Sequence, residues 1–361
     1  MKIGIVTYHR TLNYGAVMQA LATRFVLEDM GHEVYYVDYW PEYHKDSYKL
    51  FSFSKFKRQQ GFVSKIKTLR SLLRDYSSNK RRIDNFEFFF QTHIYPYCRP
   101  IDDSFDVVIY GSDQIWRKQK ALGTYNSFYF GDNKLKTNHH ISYAASMGIL
   151  PDNDQDKAKI KELVSHIEKI SVREEDLQIL LKSLGLSDVS LSLDPTLLLS
   201  SEKWDKYLPT ELYKGEKYAL IYIMGGNAFD LKEVKKFTDS KGLKLIILRG
   251  YAKTKETKTN ITSAGPYEFI RLIKNADYVF CSSFHGLAFS IIYGKQFYTS
   301  FLHNSGRAES LLKIIGCQER LLDPKSPIPQ NLSLVNYEQL SKRMMSYREE
   351  SIKYLKEINK I

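Results

Sequence analysis

Residues 275–290 read NADYVFCSSFHGLAFS. Five residues with strand character, Asp277 to Cys281, lead into small polar residues, and Gly286 then opens an apolar run through Ile292 that is typical of a buried helix. His285 is therefore expected at the carboxyl end of a strand, where open α/β sheets bind their ligands. The free N–H groups of a helix that begins there favour an anion. The stretch predicts an anion site at His285, with a histidine merely satisfied inside the core as the alternative.

The same alternation of strands and helices continues in both directions. Towards the amino end, strands are predicted over 3–8, 33–39, 105–110, 141–148 and 169–176, with a first helix over 16–30. In the second half, strands are predicted over 218–224, 243–248 and 296–302, with helices over 266–275 and around Ser310. This pattern predicts an α/β protein built from two Rossmann-like domains that face each other across a cleft.

An irregular stretch around 200–215 is the predicted boundary between these domains. The first domain is predicted over 1–199, with a basic helical insertion at about 41–100, and the second over 200–334. Residues 335–361 predict a charged helix that packs back on the first domain. A chain of 361 residues is long enough for each domain to have its own core.

Composition and cysteine content narrow the class of protein. Hydrophobic residues make up 43% of the chain, as in soluble globular proteins. Met1 and Lys2 run directly into the first strand, so no targeting segment is expected, and no apolar run is long enough for a transmembrane helix. The three cysteines, Cys98, Cys281 and Cys317, have neither zinc-ligand nor disulfide-framework spacing. We expect a cytoplasmic protein with no bound metal.

The net charge of +12 is concentrated in one segment, residues 45–82. Its apolar residues recur near helical spacing, which is typical of a basic amphipathic helix. Such a surface could contact anionic lipids at the inner face of the cytoplasmic membrane or hold a phosphorylated acceptor. The alternative is a helical hairpin with a solvated basic face. No recognition motif for nucleic acid is present, so no nucleic-acid partner is expected. The basic residues are Lys45, Lys49, Lys55, Lys57, Arg58, Lys65, Lys67, Arg70, Arg74, Lys80, Arg81 and Arg82.

Common cofactor motifs are absent from the sequence. There is no phosphate-binding P-loop, and the pair Gly225-Gly226 lacks the third glycine of a dinucleotide fingerprint. What remains is a set of polar residues at the ends of predicted strands, which converge on one rim if the sheets are parallel. These residues are Asn13, Tyr14, Gly15, Ser112, Asp113, Gln114, Arg173, Asp194, Gly225, Gly226, Asn227, His285 and Arg307.

In order and spacing, these segments resemble the polysaccharide pyruvyl transferase family over nearly the whole chain. The matching segments are Tyr14-Gly15-Ala16 with Gln19, Gly111-Ser112-Asp113-Gln114-Ile115-Trp116, Ser171-Val172-Arg173-Glu174, Asp194-Pro195-Thr196, Ala276-Asp277, Ser283-Phe284-His285-Gly286 and Ser305-Gly306-Arg307. The resemblance implies a GT-B-like pair of domains and transfer of pyruvate from phosphoenolpyruvate onto two hydroxyls of a sugar. The products would be a cyclic ketal and phosphate. Phosphoenolpyruvate would be a co-substrate, no cofactor is implied, and the acceptor would be a sugar or a polyprenyl-diphosphate-linked glycan of a bacterial surface or capsular polysaccharide.

This chemistry assigns roles to the candidate residues. A donor with a carboxylate and a phosphate requires guanidinium groups and a helix N-terminus, which Arg173, Arg307 and the turn at His285-Gly286 would supply. His285 is the expected general acid or the cationic clamp on the leaving phosphate. Asp113 is a candidate base or, alternatively, a helix cap.

The remaining candidates are assigned to binding or to structure. Many relatives carry arginine where this chain has Ser283, so Arg307 or Lys295 would have to compensate. Asn13, Tyr14 and Gly15 are expected to shape the first loop. Asp194 is expected to be a structural turn residue, and Arg173 with the acids after it could instead form a surface ion pair. Ser112 and Gln114 are assigned to the acceptor side or to loop structure, and Gly225, Gly226 and Asn227 could face either the donor or the acceptor.

Two other functions are compatible with these residues. One is a GT-B-type glycosyltransferase that uses a nucleotide sugar. The other is a glycan-binding relative without catalytic activity, which the serine at position 283 favours. Binding of phosphoenolpyruvate would indicate the pyruvyltransferase, and binding of a nucleotide diphosphate would indicate the glycosyltransferase. Turnover would distinguish either enzyme from the glycan-binding protein.

Overall fold

A computed structural model describes residues 1–45, 62–131, 134–211, 215–250 and 254–360. Its first half contains a parallel five-stranded sheet with strand order β3-β2-β1-β4-β5. Strands β6 and β7 pair with each other and continue this sheet through single bridges from Ile141 to Lys169 and from Ala145 to Val172. The elements are β1 (Lys2–Val6), α1 (Tyr14–Asp29), β2 (Glu33–Val37), α2 (Glu42–Lys45), α3 (Phe62–His93), β3 (Cys98–Arg99), β4 (Val107–Tyr110), β5 (His139–Ser142), α4 (Asp154–Val164), β6 (Ile170–Val172), α5 (Glu175–Ser183) and β7 (Val189–Leu191).

The second half repeats this topology. Its sheet is also parallel, with the order β10-β9-β8-β11-β12. In both sheets the strand order reverses beside the first strand, which creates a crevice at the carboxyl ends of β1 and β4 and another at β8 and β11. The predicted α/β class with two Rossmann-like units is confirmed. The elements are α6 (Ser201–Tyr207), β8 (Tyr218–Ile223), α7 (Leu231–Ser240), β9 (Lys244–Arg249), β10 (Asn260–Ile261), α8 (Pro266–Lys274), β11 (Tyr278–Cys281), α9 (Phe284–Ile292), β12 (Gln296–Thr299), α10 (Gly306–Ile315) and α11 (Tyr337–Lys356).

Helix α1 lies between the two halves. Its amino end is capped by Asn13, whose side-chain oxygen accepts a hydrogen bond of 3.1 Å from the Gly15 N–H. Every residue from Tyr14 to Leu27 is buried, because the helix packs on β2 of its own half and on α8 and α9 of the other. A helix covered on all sides needs apolar or small residues all round, and this explains its weak amphipathic pattern.

One hydrophobic core is continuous across both halves, and each half also has a separate core cluster of its own, as expected. Tyr14, predicted as a loop residue, is fully buried in the continuous core. Its ring stacks on Phe269 of the second half with centroids 4.7 Å apart, and its hydroxyl donates a 2.8 Å hydrogen bond to the Ala264 carbonyl. Tyr14 therefore joins the halves by packing.

The carboxyl end of the basic segment has a structural role that its charge does not reveal. Arg82 is buried, and its guanidinium donates to the carbonyl oxygens of Leu12, at 2.8 Å, and Gly250. The exposed Lys80 and Arg81 pair with Asp84 at 2.8 Å and with Glu256 at 3.2 Å. Arg82 thus links the halves and does not belong to an exposed basic face. Residues 46–61 of the segment lie outside the described residues.

Helix α11 contacts the first half through its last three turns. Tyr354 donates a 2.8 Å hydrogen bond to the Ser142 carbonyl, and the Ser351 hydroxyl accepts one of 3.0 Å from the Leu193 N–H. The helix also packs against α10 of the second half. Within the described ranges, no helix is both long enough and apolar enough to cross a bilayer.

Candidate active site

The first turns of α1 and α9 are in contact, and His285 fills the space between them. The imidazole follows β11 and is 5% exposed. A Cβ atom built on Gly15 would lie 2.0 Å from His285 Nδ1, so only glycine leaves room for the ring. The open cleft predicted from the sequence is therefore closed at this point, because the ring packs directly on the opposite half.

Asp194 is the central carboxylate of the site and is 1% exposed. Its Oδ2 forms an ion pair with Arg173, and it lies 3.4 Å from both His285 Nε2 and Ser112 Oγ. Its Oδ1 accepts hydrogen bonds of 3.0 and 2.6 Å from the backbone N–H and the hydroxyl of Thr196. Asp194 is the turn residue that we expected, but it also joins residues from three separate stretches of the chain.

The charge state of Asp194 follows from its neighbours. Burial alone would raise the pKa of this carboxyl, but the adjacent His285 and Arg173 outweigh it and hold the pKa far below its ordinary value. The pKa of Arg173 is raised, because Asp194 and Glu174 outweigh the opposing effect of burial. The pair is therefore ionised inside the protein.

Arg173 and Arg307 both approach the ring of Phe284, at 4.8 and 5.8 Å from its centroid. Burial and the neighbouring Arg173 lower the pKa of Arg307 to about 10. Among the described residues, no hydrogen-bond acceptor reaches Arg173 Nε or Nη2 or Arg307 Nε. A cavity of about 20 Å³, roughly the space of one water molecule, lies beside them. Buried donors with no acceptor are expected to bind an anion.

Glu174 is a site residue that sequence reasoning missed. It is buried between Arg173 and the start of α5, and its Oε1 accepts a hydrogen bond from the Ser146 hydroxyl. Within the part of the chain that the structure describes, its Oε2 has no partner. Burial raises the pKa of Glu174, although Arg173 and Arg307 oppose this effect. The predicted surface ion pair belongs instead to the next residue, Glu175, which pairs with Lys313 at 2.8 Å.

Replacing Glu174 by Gln should stabilise the protein at neutral pH. Because the folded state holds the Glu174 proton more tightly than the unfolded state does, the stabilising effect of this group is complete below its ordinary pKa of 4.5 and is lost as the pH rises. Glutamine keeps the hydrogen-bonding shape without the charge. Urea unfolding from pH 4 to pH 8 should show a gain in E174Q that grows with pH. A gain in the free energy of unfolding that does not depend on pH would contradict the raised pKa of Glu174.

Two of the predicted residues after β4 have local partners as well as a place near the arginines. Ser112 Oγ lies 3.4 Å from Arg173 Nη1 as well as from Asp194. Asp113 Oδ1 accepts a 2.8 Å hydrogen bond from the Gln114 N–H, but turns and not a helix follow it, so the helix-cap alternative is wrong. The charge of Asp113 acts on Arg173 and Arg307. The Gln114 amide packs against Gly148.

The other predicted site residues lie outside the group formed by Arg173, Asp194, His285 and Arg307. Ser283 precedes α9 without a side-chain cap, and a Cβ on Gly286 would meet Cys281 Cβ at 2.8 Å, so this glycine serves packing. Lys295 lies at the far end of α9, near Asp277, and therefore cannot replace an arginine at position 283. Gly225, Gly226 and Asn227 follow β8, and Asn227 accepts a 3.0 Å hydrogen bond from the Phe229 N–H.

The contact between Gly15 and His285 can be tested by stability alone. Alanine in place of glycine in a helix normally stabilises a protein by about 0.4–1 kcal/mol. Gly15→Ala should instead cost about 1–3 kcal/mol, because the new methyl group collides with the imidazole. Gly306→Ala, in the first turn of α10, is the matched control, since its Cβ would meet only Asp176 Oδ2 at 3.6 Å. Equal effects of the two substitutions in urea unfolding would argue against the packed ring.

Comparison with solved structures finds distant similarity over the whole chain. A UDP-GlcNAc 2-epimerase from Methanocaldococcus jannaschii is 13% identical, with 96% of this chain and 92% of that chain covered and a TM-score of 0.46. The MnaA–UDP structure from S. aureus is 11% identical, with 98% and 90% covered and a TM-score of 0.46. A spinosyn rhamnosyltransferase complexed with thymidine diphosphate is 13% identical, with 99% and 96% covered and a TM-score of 0.38.

Comparison with curated protein sequences gives no significant match. The family model described as polysaccharide pyruvyl transferase matches residues 13–303. This range extends from the cap of α1, through Arg173, Asp194 and His285, to the loop before α10. The chain belongs to the polysaccharide pyruvyl transferase family.

Proposed function

We propose that the protein transfers pyruvate from phosphoenolpyruvate onto two hydroxyls of a sugar in a bacterial surface or capsular polysaccharide precursor. The observation that supports this most directly is the group of buried donors without acceptors on Arg173 and Arg307, together with His285, which lies on the same carboxylate, Asp194, as Arg173. Phosphoenolpyruvate carries a carboxylate and a phosphate, which match two guanidinium groups and an imidazole. The family of the chain supports the same reaction class.

The reaction adds one proton to the methylene carbon of the donor and removes one proton from each of the two sugar hydroxyls. The methylene carbon of the donor takes up a proton while a sugar hydroxyl attacks the neighbouring carbon and loses its own. The C–O bond to phosphate then breaks, and a second hydroxyl attacks the same carbon and loses its proton to the departing phosphate. The products are the cyclic ketal and inorganic phosphate. Negative charge develops on the phosphate as its C–O bond breaks, so fixed cations beside the phosphate lower the barrier of that step.

Residues of the site can be assigned to these steps. Arg173 and Arg307 would hold the two anionic groups of the donor. His285, oriented by Asp194 at 3.4 Å, would hold the leaving phosphate or protonate the methylene carbon. Glu174 is the second candidate for that proton, because its pKa is raised and its Oε2 is free among the described groups. Asp113 is the candidate base for the sugar hydroxyl.

Substrate entry requires the site to open. The cavity of about 20 Å³ beside Arg173 and Arg307 is too small for a three-carbon phosphate ester. His285 is also covered by Gly15. We infer that donor binding is coupled to separation of the first turns of α1 and α9, and that closure afterwards excludes water from the reacting carbon.

The direct test is phosphate release by the purified protein. Release should require both phosphoenolpyruvate and a glycan, and mass spectrometry should find a pyruvate ketal on the product. In thermal unfolding, phosphoenolpyruvate should raise the Tm, since a ligand that binds only the folded state stabilises it. A shift with UDP or a nucleotide sugar and none with phosphoenolpyruvate would favour the glycosyltransferase. Glycan binding without turnover at any donor concentration would favour a non-catalytic relative.

We also propose peripheral contact between residues 45–82 and an anionic membrane surface that presents a lipid-linked acceptor. Lys80 and Arg81 are exposed, and Arg82 is left out because it is buried. The double variant Lys80→Ala/Arg81→Ala should sediment less with phosphatidylglycerol vesicles than the unchanged protein, while its rate on a soluble acceptor stays the same. Lys342→Ala is the control, since this lysine is exposed on α11. Equal sedimentation of the unchanged protein, the double variant and Lys342→Ala would contradict the proposed membrane contact.

A further inference from the structure

We propose that His9, Asp38 and Cys98 form a Zn²⁺ site. Their ligand atoms all lie within 4.8 Å of one another. His9 follows β1, Asp38 follows β2, and Cys98 opens β3, so three adjacent parallel strands place them together. Sequence spacing predicted no metal, because the three residues are separated by 28 and 59 intervening positions. This inference does not depend on the proposed transferase activity.

His9 is prepared to bind a metal through Nε2. The residue is 1% exposed, and its Nδ1 lies 3.1 Å from the Thr7 carbonyl oxygen. A carbonyl oxygen can only accept, so Nδ1 carries the proton and Nε2 of the neutral ring presents its lone pair. No described residue supplies a hydrogen-bond partner for this buried Nε2. Metal-binding histidines usually donate their second ring N–H to a carbonyl in this way.

The ring plane of His9 is fixed by packing. It stacks on Tyr36 of β2, with centroids 5.3 Å apart and planes 11° from parallel. This packing holds the ring in one position, and one of its nitrogens lies within 4.8 Å of a carboxylate oxygen of Asp38 and of the Cys98 thiol. A ligand oriented before binding loses little side-chain entropy when the metal arrives.

The donor set selects the metal. A thiolate with an imidazole and one carboxylate suits Zn²⁺ better than Mg²⁺ or Ca²⁺, which prefer oxygen alone. With Zn–ligand bonds of about 2.0–2.3 Å, ligand atoms in a tetrahedral site lie roughly 3.3–3.8 Å apart, so side-chain shifts of about 1 Å close the group. The Cys98 thiol, which now contacts the Ile94 carbonyl oxygen at 3.5 Å, would lose its proton to solvent.

Arg10 competes with the metal for Asp38. Its Nη1 lies 2.9 Å from Asp38 Oδ1, and its guanidinium lies 4.8 Å from the centroid of the Tyr95 ring. The same oxygen of the Asp38 carboxylate cannot bind both Arg10 and the metal at full strength. Removing the charge at position 10 should therefore tighten metal binding, whereas loss of a ligand should weaken it.

Metal binding to the full-length protein, stripped with a chelator, tests the site. Zn²⁺ titrated against a chromophoric competitor should bind at one equivalent, and Co²⁺ should show a thiolate-to-metal charge-transfer band. Cys98→Ser should abolish that band, and His9→Gln should weaken Zn²⁺ binding about 100-fold or more. Cys317→Ser is the control, because this buried cysteine lies outside the group. Unchanged affinity in both ligand variants would overturn the proposal.

Misfolding of a ligand variant could imitate loss of the site, so a variant with the opposite expected sign is included. Arg10→Gln should bind Zn²⁺ about 10-fold more tightly than the unchanged protein, and misfolding does not produce that result. Circular dichroism and the Tm of each variant confirm folding. Unchanged or weaker binding in folded Arg10→Gln, or no Zn²⁺ binding by the unchanged protein, would end the proposal.

Discussion

His285→Ala is expected to lower kcat/KM for phosphate release by about 10³-fold, in the range that loss of a general acid or of one oxyanion donor produces. The imidazole contacts both the buried Asp194 carboxylate, at 3.4 Å, and the first turn of α1. No neighbouring side chain can take over that position. The rate should be measured with saturating glycan over a range of phosphoenolpyruvate concentrations.

A matched control separates this effect from general damage. His303→Ala removes an exposed imidazole from the loop between β12 and α10, and it should leave the rate unchanged. His285→Gln, which keeps more of the side-chain volume, should be as inactive as His285→Ala while unfolding at nearly the temperature of the unchanged protein. More than a tenth of the original rate in both His285 variants would show that the imidazole takes no part in the reaction.

Asp194→Asn is expected to destabilise the folded protein by about 3–5 kcal/mol, which is the usual cost of removing one partner from a buried ion pair. The substitution leaves the guanidinium of Arg173 buried without its counter-ion, and it removes the acceptor nearest His285 Nε2. Guanidinium chloride unfolding at pH 7 measures the change. A loss below about 1 kcal/mol would mean that water already compensates the Arg173 charge.

Glu175→Gln provides the comparison for this substitution. It breaks the exposed pair with Lys313, and surface pairs contribute at most about 1 kcal/mol. The pH dependence adds a second criterion. Because the pKa of Asp194 is lowered in the folded state, its stabilising effect is complete above its ordinary pKa and is lost only as the pH falls towards the folded value. The stability difference between the unchanged protein and Asp194→Asn should therefore persist well into the acid range.

The sequence by itself determined the fold class and most of its elements. Strands such as Tyr218–Ile223 and helices such as Pro266–Lys274 lie within a residue of their predicted ends. Apolar periodicity and helix caps are local signals, and burial on both faces produces the continuous apolar runs of parallel strands. The strand predicted over 141–148 ends early because the chain turns near Ala144, where φ is 47°. The strand predicted over 169–176 ends at Val172 because helix α5 begins at Glu175.

Local sequence also located the principal ligand-binding candidates. His285 and Arg307 each follow a predicted strand and Arg173 lies at the tip of one, and parallel strands bring their carboxyl ends to one edge of a sheet. For Lys295 the sequence prediction is wrong, because the residue lies too far from position 283 to replace an arginine there. One helix length separates the two, so they lie at opposite ends of α9.

Only the tertiary structure decided which charged residues are buried and what they contact. Asp194 and Glu174 are polar residues of ordinary appearance in the sequence, and Arg82 belongs to a run of basic residues. Their burial depends on partners far along the chain, such as Gly250 for Arg82 and His285 for Asp194. Propensity and periodicity report a residue's neighbours in sequence, whereas the cost of burying a charge depends on which distant groups compensate it.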